Sequence, residues 1–372
     1  MNNYHYVTPL RVCAFALCFL SFLNPEHASA QAFDQPEHVF QVFIDHDADA
    51  SGFDRVIFID VQTGAQIESL IDGVRYTILP DALLYADRAT DQLMMLMSSG
   101  VTRAHPFIQK PAGARRIDWL VSTDQTHIAW TITGGSPRTL TTQTFIADID
   151  GENIRDLLTD GPRDAIRAFP VAFSVDHTRL YMDYQPDAIG DFAPLRQFAG
   201  LFAVDTATGA ITELQGEPGC FCGAAFGAGQ FMRLTLAGGL DGFGVRLIDV
   251  RSNSERTISS LNLVNFTQGG DVLIAPDGRS AVYTLAQIRG FGTPGQTVQS
   301  VFILVDIDLG TQRVLTQPAN TLFRPVGWSD DARALIVSSA TLDGTWKIDL
   351  DDGDLRLIAE PSFLGTITSS SL

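Results

Sequence analysis

The sequence predicts an all-β fold, a seven-bladed β-propeller made of four-stranded antiparallel blades. Three observations predict it: four strand-like runs near the C-terminus, the recurrence of their turns along the chain, and the lack of any long stretch with helical periodicity. Counts of six or eight blades are alternatives that explain the turn positions less economically.

Residues 322–358 show the repeating unit most plainly. Four short apolar runs, FRPVGW, ALIVSS, TWKIDL and LRLI, are separated by turn residues. The second run alternates and is rich in β-branched residues, as is typical of a strand. Gly353, in the acidic turn after the third run, supplies the positive φ that a tight hairpin needs. One four-stranded sheet cannot bury both of its faces, so copies are expected on either side.

Two turn markers recur in the same phase. The acidic residue that ends the third strand recurs as Asp60, Asp148, Asp205, Asp249, Asp306 and Asp349. The first interval in this series is about twice the shortest, which predicts a further unit at residues 76–100. The turn between the first two strands recurs at Asp81, Asp124, Asp176, Asp277 and Asp331, with a degenerate copy at residues 227–229. Repeats built only of strands close radially, because closure removes exposed sheet edges.

The tract WSDDARALIVSS, followed by WKIDLDDGDLRLI, resembles the TolB-type β-propeller repeat. Members of that family typically read Trp-Ser-Pro-Asp-Gly at the first turn and Asp-x-x-x-Gly at the second. The resemblance extends from about residue 39 to 368 and implies a propeller, although this chain has the full Pro-Asp-Gly only at residues 276–278. Because these residues shape turns and do no chemistry, the resemblance implies a fold and no function.

The chain begins with a predicted signal peptide, residues 1–30. Arg11 precedes an apolar run at residues 12–23, and Ala28-Ser29-Ala30 offers the small residues of a cleavage site. The run is too short for a permanent transmembrane anchor. Residues 31–38 are interpreted as a polar leader, and residues 39–372 as a single propeller domain closed by a strand at residues 362–368. We therefore expect an exported protein, periplasmic or secreted.

The formal net charge of −18 indicates which partners the surface disfavours. Such a field repels nucleic acid, so no nucleic-acid partner is expected, whereas cations and basic partners are favoured. Solubility alone is the alternative explanation, because aspartate also has a conformational role in turns. We expect a monomer.

An acidic loop in the first unit is a possible calcium site. Asp45, Asp47 and Asp49 alternate and are followed by Gly52, as in a loop that wraps oxygen ligands around Ca²⁺. The motif is incomplete, because the glycine comes late and Val56 stands where a bidentate glutamate is usual. A solvated loop between two strands is the alternative interpretation.

Two cysteines remain after removal of the signal peptide, Cys220 and Cys222. A disulfide between them, a pair of reduced core thiols, and a soft-metal or redox site are all compatible with this spacing. The sequence does not decide among the three.

The longest insertions fall in the loops between second and third strands and between blades, which share one face of a propeller. Long loops with arginine and aromatic residues are typical of contact surfaces, although tolerated insertions are the alternative. The predicted ligand-binding residues are Arg103, His105, Arg138, Phe192, Arg196, Arg289, Phe291 and Arg324.

These features favour an exported, non-catalytic scaffold that binds a protein, peptide or glycan partner. No nucleophile elbow, metalloprotease motif or phosphate loop is present, so no catalytic residues are predicted. The alternative is a propeller enzyme, a lyase or lactonase-like hydrolase, with a metal or a histidine and carboxylate site in the central channel. The histidines do not converge in sequence; His127 and His177 occupy corresponding first turns of different units.

Overall fold

A computed structural model of the protein describes residues 38–46, 52–187, 195–214, 222–237, 239–252, 254–291, 293–329, 331–339 and 342–369. Within them the chain forms strands and no helix, and so no helix that could cross a membrane. The strands make seven four-stranded antiparallel sheets, the blades of a propeller. The predicted fold class and blade count are confirmed. The predicted signal peptide, and all of the predicted leader except His38, lie outside the described residues.

Blade 1 combines the two ends of the described chain. Its strands are β1 His38–Asp45, β2 Asp54–Asp60, β3 Gln66–Ile71 and, from the C-terminal end, β28 Ser362–Ser369. β28 is the innermost strand and pairs antiparallel with β1, with Ile367 opposite Phe40. The closing strand that the sequence predicts is therefore present, and backbone hydrogen bonds complete the ring.

Blades 2 to 4 run in chain order from the inner to the outer strand. Their strands are β4 Gly73–Ile78, β5 Ala82–Asp87, β6 Leu93–Met97 and β7 Thr102–Ala104; β8 Arg116–Val121, β9 His127–Gly134, β10 Leu140–Asp148 and β11 Arg155–Arg163; β12 Ile166–Phe173, β13 Arg179–Pro186, β14 Phe202–Asp205 and β15 Ile211–Glu213. Blade 2 is the unit that the spacing predicts at residues 76–100.

Blades 5 to 7 repeat this order. Their strands are β16 Ala224–Gly227, β17 Gln230–Leu236, β18 Gly242–Asp249 and β19 Glu255–Asn262; β20 Gln268–Ile274, β21 Ser280–Arg289, β22 Thr297–Asp306 and β23 Thr311–Val314; β24 Phe323–Trp328, β25 Ala334–Ser339, β26 Thr345–Asp349 and β27 Leu355–Ala359. The inner strands of several neighbouring blades contact one another around the central channel.

The hydrophobic core lies between blades. Phe40 and Phe58 of blade 1 pack with Leu83 and Leu96 of blade 2, and all four are fully buried. Burying a side chain of this size stabilises the fold by about 1.5–3 kcal/mol, and no blade has a partner for its faces except its neighbours. The ring is therefore what makes each small sheet stable.

The recurring aspartates owe their positions to turn chemistry. Oδ1 of Asp205, at the end of β14, accepts hydrogen bonds from the backbone N–H of Ala207 and of Thr208, at 3.1 and 2.8 Å. The hydrogen bonds from Thr208 are the main cause that lowers the pKa of the Asp205 carboxyl. Asp60 accepts the equivalent bonds from Gln62 and Thr63. These carboxylates stabilise hairpins, which explains why an aspartate recurs at the end of the third strand in most blades.

The two ends of the blades carry different loops. Since the strands alternate in direction, the first and third turns of every blade lie at one end, here called the lower face. The loops between second and third strands lie at the other end, the upper face, together with the connections between blades.

Candidate functional site

The ligand-binding residues predicted from the sequence are distributed over five blades. Arg138, Arg196 and Arg289 are exposed in upper-face loops or beside them, and Phe291 is 63% exposed. Arg103 lies on β7, the outer strand of blade 2. Phe192 lies outside the described residues.

His105 has a different environment from the other predicted residues. Its side chain is buried in the connection between blades 2 and 3, where Nδ1 accepts a hydrogen bond from the backbone N–H of Ile108 at 3.1 Å. The ring packs edge to face on Phe107. Burial lowers the pKa of His105 to about 4, so the imidazole is neutral at physiological pH. His105 therefore belongs to the folded interior and not to an exposed contact surface.

A cluster of charged side chains that was not predicted from the sequence lies at the upper ends of three inner strands. Arg116 Nε donates a hydrogen bond to Oδ1 of Asp118 at 2.7 Å, and Arg167 Nη1 donates to Oδ2 at 2.5 Å. Nη1 of Arg75 lies 3.5 Å from Oδ1 of the same carboxylate. Blades 2, 3 and 4 thus direct guanidinium groups at one aspartate, and we call Arg75, Arg116, Asp118 and Arg167 the Asp118 cluster.

Further charges border the Asp118 cluster. Arg115 Nη2 donates to Asp187 Oδ2 at 2.7 Å, and Asp187 Oδ1 lies 3.7 Å from Arg167 Nε. The guanidinium of Arg75 stacks on Trp119, 4.4 Å from the ring centroid, which holds it by cation–π attraction. Arg167 is 2% exposed, whereas Arg75 is 30% and Arg115 37% exposed. The outer members of this network are therefore accessible from solvent.

Residues 195–200, which we call the strap, leave the long loop of blade 4 and reach across to blade 6. Phe198 forms a two-way backbone bridge with Cys222, just before blade 5. Gln197 Nε2 donates a hydrogen bond to the carbonyl oxygen of Gly269 on β20 at 3.0 Å. The strap therefore joins blades that are not neighbours in the ring and lies against the inner strand of blade 6.

Two predicted residues meet where the strap contacts β20. The backbone N–H of Arg196 donates to Oδ1 of Asp271 at 2.7 Å, and Nε of Arg324 lies 3.6 Å from Oδ2. Asp271 has a positive φ of 49° within a bulge of β20. The structure thus places the backbone of Arg196 and the side chain of Arg324 around one aspartate, although the two residues are far apart in sequence.

A buried carboxyl anchors the other end of the strap. Asp183 on β13 accepts hydrogen bonds from the backbone N–H groups of Ala199 and Gly200, at 3.1 and 2.6 Å. Burial nevertheless raises the pKa of Asp183 to about 6, because desolvation outweighs these bonds. The side chain acts as a backbone clamp, which explains an acidic residue in the middle of a buried strand.

A groove of about 620 Å³ opens on the upper face between blades 6 and 7. Arg289, one of the predicted residues, lines it together with Leu322 and polar side chains. Gln299 donates to Asn320 across the groove at 2.8 Å. Leu322 also packs against Leu195 of the strap, so the groove and the strap share one region of the upper face.

The balance of charge around the channel mouth differs from that of the whole protein. We use this name for the Asp118 cluster with Arg115 and Asp187, and the pair Asp271 and Arg324. It contains five arginines and three aspartates, and at its edge Asp91 pairs with both Arg75 and Lys110, in a protein whose formal net charge is −18. The channel mouth is therefore locally cationic on an acidic molecule.

The predicted calcium and cysteine sites lie mostly outside the described residues. Asp45 is described and forms an ion pair with Arg55 on the adjacent strand, whereas Asp47 and Asp49 are not described. Cys222 is buried and disulfide-bonded. Cys220 lies outside the described residues, so the predicted pairing of these two cysteines stays a prediction.

Histidines are absent from the inner strands, all seven of which are described. One group of three potential metal ligands among the described residues lies elsewhere, on the lower face. Asp124, His127 and His177 place their ligand atoms within 4.8 Å of one another. The sequence shows that the two histidines occupy equivalent turns but not that their side chains meet.

Comparison with known proteins shows the fold but not the family. No family description matches the sequence, and no curated protein matches it. Among solved structures, a prolyl endopeptidase has a TM-score of 0.56 at 12% identity, with 88% of this chain matched to 50% of that chain. An oligogalacturonate lyase in complex with manganese has a TM-score of 0.53 at 11% identity, covering 90% of both chains. TolB from Acinetobacter baumannii has a TM-score of 0.40 at 14% identity, covering 77% and 64%. The TolB-type resemblance stays a prediction.

Proposed function

We propose that the protein is an exported, non-catalytic β-propeller that binds carboxylate groups of a protein, peptide or glycan partner at its channel mouth. The observation that carries this proposal is the presence of two arginine–aspartate groups on the inner strands: Arg75, Arg116 and Arg167 around Asp118 in blades 2 to 4, and Arg324 beside Asp271 in blades 7 and 6. Guanidinium groups recognise carboxylates through paired, charge-assisted hydrogen bonds.

The internal aspartates prepare the arginines for binding. Asp118 and Asp187 hold the guanidinium groups in place, so little side-chain freedom is lost when a ligand arrives. Arg115 and Arg324 are 37% and 40% exposed at the mouth and are the groups that a ligand would contact. Their accessible N–H groups can donate to an incoming carboxylate while their present partners stay in place.

The composition of the inner strands supports binding over catalysis. A hydrolytic or lyase centre in a channel usually needs a general base or metal ligands, and histidine is the commonest of these. The inner strands contain no histidine, and the acidic groups at the mouth are engaged by arginines. The solved lyase shares the fold of this chain, and fold alone does not transfer an activity.

Binding to two immobilised probes tests the proposal: a glutamate-rich peptide and polygalacturonate, which carry the same group on different backbones. We expect the protein to bind at least one of them, more weakly at high salt. The double variant Arg115→Gln/Arg324→Gln should bind about 100-fold more weakly, since each of the two lost charge-assisted bonds costs about 1.4 kcal/mol.

The matched control is Arg279→Gln/Arg333→Gln, which removes the same charge from exposed lower-face residues. This control should bind like the unmodified protein. Equal loss in both double variants, or no binding to either probe, would contradict the proposal. Release of an unsaturated product from polygalacturonate would show that the protein is a lyase, the alternative function, and would contradict a purely binding role.

A further inference from the structure

We propose that Asp124, His127 and His177 form a binding site for a divalent transition-metal ion on the lower face, at the junction of blades 3 and 4. The site is separate from the channel mouth, which lies at the opposite end of the blades. Nothing in the proposed binding function requires it.

Three elements bring the ligands together. Asp124 lies in the first turn of blade 3, His127 begins β9, and His177 lies in the first turn of blade 4. The imidazole rings of His127 and His177 stack with centroids 4.1 Å apart and an interplanar angle of 29°. Nε2 of His177 lies 3.2 Å from Oδ1 of Asp124. All three potential ligand atoms fall within 4.8 Å of one another, as coordination of one ion requires.

The turns themselves are common to several blades, but the pair of histidines is not. Asp124 accepts a hydrogen bond from the hydroxyl of Ser122. Asp176 and Asp331 each accept the equivalent bond from a serine hydroxyl in their own turns. The carboxylate alone is therefore explained by turn structure. At the position equivalent to His127, blade 4 has Arg179, so the combination of two imidazoles and a carboxylate occurs at this junction.

The backbone at His177 has a left-handed conformation that belongs to the turn. Its φ is 53°, and the corresponding residues Gln125, Ala332 and Gly278 of blades 3, 7 and 6 have φ values of 58°, 53° and 71°. A side chain in this region costs about 1–2 kcal/mol relative to glycine. The fold thus places an imidazole at a position where glycine would be unstrained, and the ring projects onto His127.

Neighbouring groups can orient the ligands. Nδ1 of His127 is 2.7 Å from the hydroxyl of Thr126. This leaves Nε2, which lies 3.4 Å from Oδ1 of Asp148, as the nitrogen that would bind the ion. Hydrogen bonds such as the one with Thr126 fix the tautomer and ring orientation of metal-binding histidines. Phe173 lies against both imidazoles and covers one side of the group.

The donor set selects the class of metal. Two imidazole nitrogens and one carboxylate suit Zn²⁺, Ni²⁺, Co²⁺ or Cu²⁺, whereas Ca²⁺ and Mg²⁺ prefer oxygen ligands alone. All three residues are partly exposed, so an ion held here keeps at least one position open to solvent. Bound metal would link the first turns of two adjacent blades.

Calorimetric titration of untagged protein with ZnCl₂ tests the inference. We expect one high-affinity ion per chain, and a rise in the thermal midpoint with excess zinc because the ion binds only the folded state. Titration with Co²⁺ should give the visible absorption of a site with nitrogen and oxygen ligands. MgCl₂ should produce neither effect.

Two variants remove one imidazole each: His127→Gln, and His177→Asn, which tolerates the positive φ. Each should weaken zinc binding at least about tenfold and remove the cobalt spectrum. The matched control is His38→Gln, since His38 pairs with Asp60 at 2.7 Å in blade 1 and lies outside the group. Absence of stoichiometric zinc binding would overturn the inference, and so would unchanged binding in both folded variants or equal loss in the control.

Discussion

At the scale of single residues, His105 shows how burial changes the role of a side chain. The sequence places it in a connection between blades, where an exposed binding role was expected. In the structure it is 2% exposed and serves as a hydrogen-bond acceptor for the turn at Ile108. An imidazole that must stay neutral makes folding dependent on pH.

The variant His105→Asn should reduce this pH dependence. Burial lowers the pKa of His105 from 6.5 to about 4 in the folded state. The unfolded state therefore takes up a proton first as pH falls, so the stability that His105 contributes is complete above about pH 6.5 and is lost toward pH 4. Between about pH 7.5 and pH 5 the loss should be about 2 kcal/mol.

Asparagine can accept the same hydrogen bond and does not titrate, so this part of the pH dependence should vanish in the variant. Urea unfolding at the two pH values measures the difference. Equal pH dependence in the variant and the unmodified protein would contradict the assignment.

Gly270 shows a second residue-scale effect, close approach of two backbones. A Cβ at this position would lie 2.7 Å from the carbonyl oxygen of Arg196 and 2.8 Å from Cβ of Leu195, both in the strap. The substitution Gly270→Ala should therefore displace the strap and destabilise the protein by about 1–3 kcal/mol.

Gly327→Ala is the control for Gly270→Ala. Gly327 also lies on an inner strand, and a Cβ there would meet nothing within 4 Å. Chemical denaturation of both variants should separate them by more than 1 kcal/mol on the same estimate. Equal stability would show that the strap does not pack against β20 as described.

At the scale of elements, the closing strand β28 carries the largest expected effect. It provides the inner strand of blade 1, and its Ile367 is buried against Phe40. Deleting residues 361–372 should lower the thermal midpoint by roughly 10 °C or more, or prevent folding, because several kcal/mol of ladder and core contacts are lost. Deleting only residues 370–372, beyond the strand, is the control and should leave the midpoint unchanged.

The turns explain how much of the fold could be predicted from the sequence. Asp205 and its equivalents make local hydrogen bonds over two or three residues, so each strand end has a signature in the chain itself. The blade count and closing strand follow from these local signals. The channel mouth does not, because Arg75, Asp118 and Arg167 come from three blades and meet only when the ring closes.

The same reason explains why the contacts among the predicted site residues could not be predicted from the sequence. Arg196 and Arg324 were predicted as isolated loop or connection residues, and the structure adds Asp271 between them. Asp271 was missed because acidic residues are abundant in this chain and a single one carries no signal. Burial of His105 was missed because the sequence does not show which side of a connection faces the core.

At the scale of the whole molecule, ring closure predicts a single cooperative unfolding transition. Each blade depends on both neighbours, so loss of one exposes the cores of two others. Trp119 and Trp130 report on blade 3, and Trp328 and Trp346 on blade 7.

Two variants test the cooperativity. One keeps Trp119 and Trp130 and has phenylalanine at positions 328 and 346, and the other has the reverse arrangement. Fluorescence and circular dichroism should give coincident urea midpoints within each variant, since every blade unfolds together. Separate transitions for fluorescence and circular dichroism would indicate that part of the ring unfolds independently.

The strap makes the two sides of the upper face different. In a ring of similar blades the sides would be equivalent, but residues 195–200 cover the side next to blades 5 and 6. On the opposite side, Arg75 and Arg115 are 30% and 37% exposed. We therefore expect an acidic polymer bound at the channel mouth to place its carboxylates toward blades 2 to 4.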